Sequence, residues 1–200
     1  MFYSTMYWIV RTIFSLWFRL DVEGMERLPR RGPLIVVANH QSAWDPPVMG
    51  AVVTRQLWYM AKAELFEYRG LACLIRSLHA FPVRRGTPDR RAIRFALGVL
   101  AAGGALLIFP EGHRSRDGEL QPARPGTVWL AKKSGAPLVP VGIYGRYGWA
   151  RRIRFRVGEP FFIPPDMDDQ AAQVLIMDRI RELVEAGRRE ALAAGGRGSS

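Results

Sequence analysis

Leu34-Ile35-Val36-Val37-Ala38-Asn39-His40-Gln41-Ser42-Ala43-Trp44-Asp45-Pro46-Pro47 is the stretch on which the reading of this chain turns. It opens as an apolar, β-branched run of the kind that forms a buried strand, and it stops abruptly at Asn39-His40. Asp45 follows, ahead of two prolines that suit the opening turn of a helix. A histidine at the exit of a buried strand, with a carboxylate that a turn can fold back onto it, has the parts of an oriented general base. The imidazole takes a proton while the carboxylate fixes its tautomer and stabilises the imidazolium. Asp before Pro-Pro is equally a good helix N-cap, and a histidine at a strand end is often structural. The two duties of Asp45 are compatible if its two oxygens divide the work.

Outward from this stretch, apolar strands alternate with helical patterns. Strands are expected at 57–61, 79–83, 105–109, 138–143 and 153–157. Helices are expected at 46–53, 64–78, 88–102, 127–133 and 168–194, with Gly103-Gly104 as a C-terminal stop. This alternation predicts an α/β fold with a mixed, largely parallel central sheet flanked by helices. In such sheets ligands bind where strands end and loops cluster. Three polar loops leave three of the strands: Asn39-His40 with Asp45, Arg84-Arg85, and Glu111 with Arg114 and Arg116. If those exits converge, one cleft holds a base, its orienting acid, a second carboxylate and several arginines.

The 29 basic and 18 acidic residues leave a net charge of +11, and lysine stands only at 62, 132 and 133. Such a balance implies an anionic partner, and the planar fork of arginine suits phosphate. The single cysteine, Cys73, excludes an intrachain disulfide framework. His40, His79 and His113 lie far apart and have no cysteine partners, so no metal site is expected. Residues 1–20 are aromatic and apolar but interrupted by Arg11 and Arg19, which suits neither a signal peptide nor a spanning helix. They are expected to form an amphipathic helix lying in a membrane interface. Residues 21–194 then make one catalytic domain, and 195–200 a disordered tail. Tyr147, Trp149, Arg151, Arg152, Arg154 and Arg156 read as a basic rim facing lipid head groups.

The loops also limit the chemistry. Gly112 permits a tight turn, and Arg114, Ser115 and Arg116 can ring a phosphate with charge-assisted bonds. Glu111 would face those arginines or a substrate hydroxyl. There is no G-x-S-x-G elbow, Cys73 has no activating neighbour, and no Walker-type loop is present. A base without a protein nucleophile points to direct transfer, in which a deprotonated substrate hydroxyl attacks an activated electrophile. The phosphate-binding arginines and the lipid-seeking N-terminus suggest a phosphorylated lipid precursor as acceptor.

Asn39-His40 with Asp45, Phe81-Pro82-Val83-Arg84-Arg85, Phe109-Pro110-Glu111-Gly112-His113-Arg114-Ser115-Arg116 and Val139-Pro140-Val141-Gly142 closely resemble the four ordered blocks of the glycerolipid acyltransferases. Within that family the nearest likeness is to bacterial enzymes that acylate 1-acyl-sn-glycerol-3-phosphate (lysophosphatidate). The resemblance implies that His40 removes the proton of the sn-2 hydroxyl and that Asp45 orients His40. The alkoxide then attacks the thioester of acyl-CoA or acyl carrier protein directly, with neither cofactor nor metal. It further implies that Arg85 and Arg114 meet the acceptor phosphate, that Glu111 and Gly112 position the acceptor, and that Pro140 lies on the acyl-donor side. The expected location is the cytoplasmic face of the cell membrane, peripheral or monotopic, against anionic lipids.

Two departures bear on the acceptor. His113 stands where the family usually has Thr, and Arg84 where it often has Asp, and both changes favour positive charge beside the phosphate. Another lyso-lipid, such as a lyso-ornithine lipid, or glycerol phosphate itself would suit the same chemistry. A non-catalytic basic protein at the membrane surface would not need the His40–Asp45 pair. A nucleic-acid-binding module would need its arginines on one face among stacking aromatics. Here the arginines gather at strand exits, so nucleic acid is not expected as a partner.

Overall fold

The run at Leu34–Ala38 forms a strand whose five side chains are all buried, and the rest of the sheet is built around it. The computed structural model describes residues 12, 14, 17–84, 86, 89–115, 119–149 and 151–195. Its strands are β1 (Arg19–Glu23), β2 (Leu34–Ala38), β3 (Leu57–Lys62), β4 (Ala80–Val83), β5 (Ala105–Ile108), β6 (Leu138–Gly145) and β7 (Arg152–Val157). Its helices are α1 (Asp45–Val52), α2 (Arg69–Ser77), α3 (Arg90–Ala101), α4 (Pro125–Ser134) and α5 (Asp169–Gly195). The strands form one sheet in the order β1-β7-β6-β2-β5-β3-β4. All neighbours are parallel except β6 and β7. The expected mixed, largely parallel sheet is therefore present.

A parallel sheet is covered on both faces, so its central strands are apolar throughout rather than alternating. On one face Ile35, Val37, Leu106 and Ile108 pack with Ala96 and Leu100 of α3, Val128 of α4 and Ile176 and Ile180 of α5. On the other, Leu34, Val36, Ala38 and Leu107 pack with Val48, Met49 and Val52 of α1, joined by Phe18 and Leu28. Local signals set the helix ends. Asp89 caps α3 by accepting the Arg91 and Ala92 N–H groups, an N-cap arrangement. Helix α4 starts on Pro125 and stops at Gly135, whose φ of 62° is left-handed, as C-terminal glycines often are.

The structure departs from expectation at three places. Of the helix expected over 1–20, residues 1–11, 13, 15 and 16 lie outside the described residues, and Arg19 and Leu20 open strand β1 instead. That strand pairs with β7, setting Asp21 beside Arg154 and Glu23 beside Arg156. The helix expected at 64–78 divides into a 3₁₀ turn at Ala63–Phe66 and α2, separated by the extended Tyr68. Leu65 and Leu71 are six residues apart, which is out of helical phase. The third expected strand starts at Ala80 because His79 has a φ of 64°, rare for a residue with a Cβ. Of the tail, 196–200 lie outside the described residues. No helix among the described residues is long and apolar enough to cross a membrane.

Candidate active site

Strand β2 is central, between β6 and β5, and its exit is tied to both neighbours. On the β6 side the Asn39 amide prolongs the ladder: its Nδ2 donates to Ile143 O at 2.8 Å and its Oδ1 accepts from Ile143 N at 2.7 Å. On the β5 side His40 N donates to Glu111 Oε1 at 2.8 Å, and Ser115 N donates to His40 O at 2.8 Å. The imidazole stacks on Phe109, with ring centroids 4.1 Å apart and planes 21° apart. Both backbone groups and one ring face of His40 are thus held.

The turn after His40 brings Asp45 back onto it. His40 Nδ1 lies 2.8 Å from Asp45 Oδ2, which also accepts the Gln41 and Ser42 N–H groups at 2.7 Å each. The other oxygen, Oδ1, accepts the Tyr147 hydroxyl at 2.6 Å. Asp45 is 0% exposed and His40 9%. A carboxylate receiving these donors is an acceptor, so the neutral imidazole carries its proton on Nδ1 and turns a basic lone pair outward at Nε2. No hydrogen bond occupies Nε2 among the described residues. Burial above all, then the Asp45 charge, raises the Tyr147 pKa, so the phenol keeps its proton.

The helix-cap duty expected of Asp45 is not observed. Asp45 is the first residue of α1 and Trp44 occupies the N-cap. The carboxylate folds back to the turn rather than forward to the helix, so one oxygen serves both the turn and His40.

Glu111, expected to face arginines or a substrate hydroxyl, is instead 1% exposed. Its Oε1 takes His40 N and its Oε2 takes Gln121 N at 3.0 Å. Burial raises its pKa, against the lowering effect of those two N–H groups. It braces the β2 and β5 exits against each other. Gly112 turns the chain with a φ of 72°, and a Cβ there would meet Arg124 Nε at 2.4 Å. That guanidinium donates from Nε to Glu111 O at 3.2 Å, and His113 Nδ1 donates to the same oxygen at 2.8 Å. Arg114 is exposed beside them.

Not every expected residue reaches this cleft. Arg84 is exposed at the exit of the edge strand β4, with β3 between it and β5. Arg85 and Arg116 lie outside the described residues. Pro140 is on the opposite face: a Cβ on Gly158 would meet its ring and Leu183 of α5. Its ring thus lies near that helix. The rim expected to face lipid is also partly engaged elsewhere. Arg154 pairs with Asp21, Arg156 pairs with Glu23 and Glu190, and Tyr147 turns inward to Asp45. Tyr147, Asn39, Phe109, Gln121 and Arg124 are neighbours of the site whose roles were not legible from sequence. Only Asn39 and Phe109 carried a signal, as strand-end neighbours of His40 and Glu111. Among the described residues no group of three or more His, Cys, Asp or Glu is placed to hold a metal ion.

The family model described as Acyltransferase matches residues 19–144. The 1-acyl-sn-glycerol-3-phosphate acyltransferase of Bacillus subtilis (strain 168) is 30% identical over 186 residues, spanning 87% of this chain and 92% of that protein. The human 1-acyl-sn-glycerol-3-phosphate acyltransferase alpha is 31% identical over 147 residues, 70% of this chain and 52% of its own. The crystal structure of the 1-acyl-sn-glycerophosphate acyltransferase from Thermotoga maritima superposes with a TM-score of 0.75 at 27% identity, covering 92% of this chain and 79% of that one.

Proposed function

The chain belongs to the acyltransferase family, and from that premise we propose that it acylates the sn-2 hydroxyl of 1-acyl-sn-glycerol-3-phosphate to give phosphatidate. The acyl group comes from acyl-CoA or acyl carrier protein. The observation that carries this reading is the His40 ring, with Nδ1 on Asp45, one face on Phe109 and Nε2 turned outward. Nε2 removes the hydroxyl proton as the alkoxide oxygen bonds to the thioester carbonyl carbon. The tetrahedral intermediate then collapses, the C–S bond breaks, and the proton on Nε2 passes to the departing thiolate. Asp45 stabilises the imidazolium between these steps. Neither cofactor nor acyl-enzyme enters the scheme.

Arg114 supplies charge for the acceptor phosphate, and Arg85 and Arg116 are expected to add to it. The net charge of +11 and the exposed Trp17, Trp44 and Trp149 support docking on an anionic membrane surface, at the cytoplasmic face where such acceptors and donors meet.

The test is transfer from radiolabelled acyl-CoA and acyl carrier protein to a panel of acceptors. Product is expected with lysophosphatidate and not with lyso-ornithine lipid, and absence of transfer to lysophosphatidate overturns the reading. His40→Ala is expected to lose roughly 10²–10⁴-fold in turnover, the usual worth of a general base, while its circular dichroism is retained.

A further inference from the structure

We propose that Tyr147 is a positioning residue of the His40–Asp45 pair, itself held in place by Phe14 and Phe18 of the N-terminal segment. The inference rests on the reading of His40 as general base. It concerns a residue beyond position 144, where the family match ends.

The two oxygens of Asp45 are unequally engaged. Oδ2 meets His40 Nδ1 and two backbone N–H groups, whereas Oδ1 has the Tyr147 hydroxyl as its one partner among the described residues. Asp45 is 0% exposed, so water does not replace that donor without a change in packing. Removing it leaves a buried carboxylate oxygen unpaired, and the carboxylate gains reason to rotate about Cβ–Cγ. Rotation carries Oδ2 away from His40 Nδ1, and with it the tautomer and the aim of Nε2. The charged and titratable groups bonded to His40 are Asp45 from the turn and Glu111 from the β5 exit, the latter through the backbone.

Tyr147 is in turn held by aromatics from the start of the chain. Phe18, 3% exposed, meets the Tyr147 ring edge-on at 5.3 Å and the Trp44 ring at 6.3 Å. Phe14 lies 5.9 Å from Phe18 and 5.8 Å from Trp44. Trp44 immediately precedes Asp45. Two phenylalanines therefore press on the residue that grips Oδ1 and on the residue next to the carboxylate, in ring geometries that favour pairing. The N-terminal segment thereby becomes part of the catalytic apparatus as well as an edge of the sheet.

Tyr147→Phe in the full chain keeps the ring against Phe18 and removes only the hydroxyl. Loss of a hydrogen bond to a charged group predicts a fall in kcat of roughly tenfold or more, with KM for acceptor and donor within about twofold. Phe18→Ala is expected to lower kcat likewise, and the double variant to fall short of the product of the two effects, as coupled sites do. Imidazole ¹⁵N shifts of His40 at neutral pH give a reading that needs no turnover, with the proton on Nδ1 in the wild type and divided between the two nitrogens in the variant. An unchanged kcat together with an unchanged tautomer in Tyr147→Phe overturns the inference. So does a change confined to KM. A wild-type chain that fails to acylate lysophosphatidate counts against the proposed reaction, and the ¹⁵N tautomer reading then still decides the role of Tyr147.

Discussion

Glu111 shows how a motif residue can serve a site without facing the substrate. Its oxygens are each taken by a backbone N–H, from His40 and from Gln121. An amide in its place has one acceptor oxygen and must turn an NH₂ toward the other N–H. Glu111→Gln is therefore expected to cost about 1–3 kcal/mol in denaturant unfolding, the usual cost of an unpaired buried group, and to lower kcat by loosening the His40 backbone. The pH dependence has a definite sign. Burial raises the folded-state pKa of Glu111 above its unfolded value, so its titration favours the folded state in acid. That contribution is full below the unfolded pKa and is lost as pH rises through the raised folded one. Glu111→Gln removes it, so the wild-type advantage over the variant narrows across that window as pH increases. Denaturation midpoints measured from acid to neutral pH check this. The sequence made His40 and Asp45 legible because their pairing is local and sits at the end of an apolar run. The inward turn of Glu111, and the 102-residue reach from Tyr147 to Asp45, depend on which strands become neighbours, and no local pattern carries that.

At the level of elements, the β2 exit is stitched to β6 by a side chain imitating a peptide group. Asn39→Ala strands the buried N–H and C=O of Ile143, at about 1–3 kcal/mol for each group left unpaired. Hydrogen exchange is expected to quicken at the Ile143 amide, while amides at the far end of β2 keep their protection. The buried strands β2, β5 and β6 were legible since a strand covered on both faces is apolar without interruption. Strand β1 was not, for Arg19-Leu20-Asp21-Val22-Glu23 has the alternation of an edge and adjoins an aromatic stretch of helical character. The helix expected at 64–78 overruns α2 because its leucines do not share one helical phase. The resemblance implies an acyl-donor role for Pro140; side-chain alternation along β6 puts it on the α5 face, while Val139 and Val141 share a face with α1.

For the molecule as a whole, the edge strand nearest the N-terminus closes the sheet against β7. Asp21 and Glu23 meet Arg154 and Arg156 there, although surface pairs of this kind add little by themselves. A chain starting at residue 25 loses β1 and Phe18 together and leaves β7 as an open edge, where Arg152, Arg154 and Arg156 discourage pairing with other chains. It is expected to have a lower thermal midpoint and, where folded, a kcat reduced at least as far as that of Tyr147→Phe, both read on the purified chain. The arrangement also bears on how the enzyme comes into being. Arg156 is bonded to Glu23 across a separation of 133 residues, so β1 has no strand partner until β7 has been made. The aromatics that steady Asp45 follow the same timetable. A nascent chain can lay down β2, β3 and β5 early, yet its acyl-transfer site is expected to stay incomplete until β7 arrives.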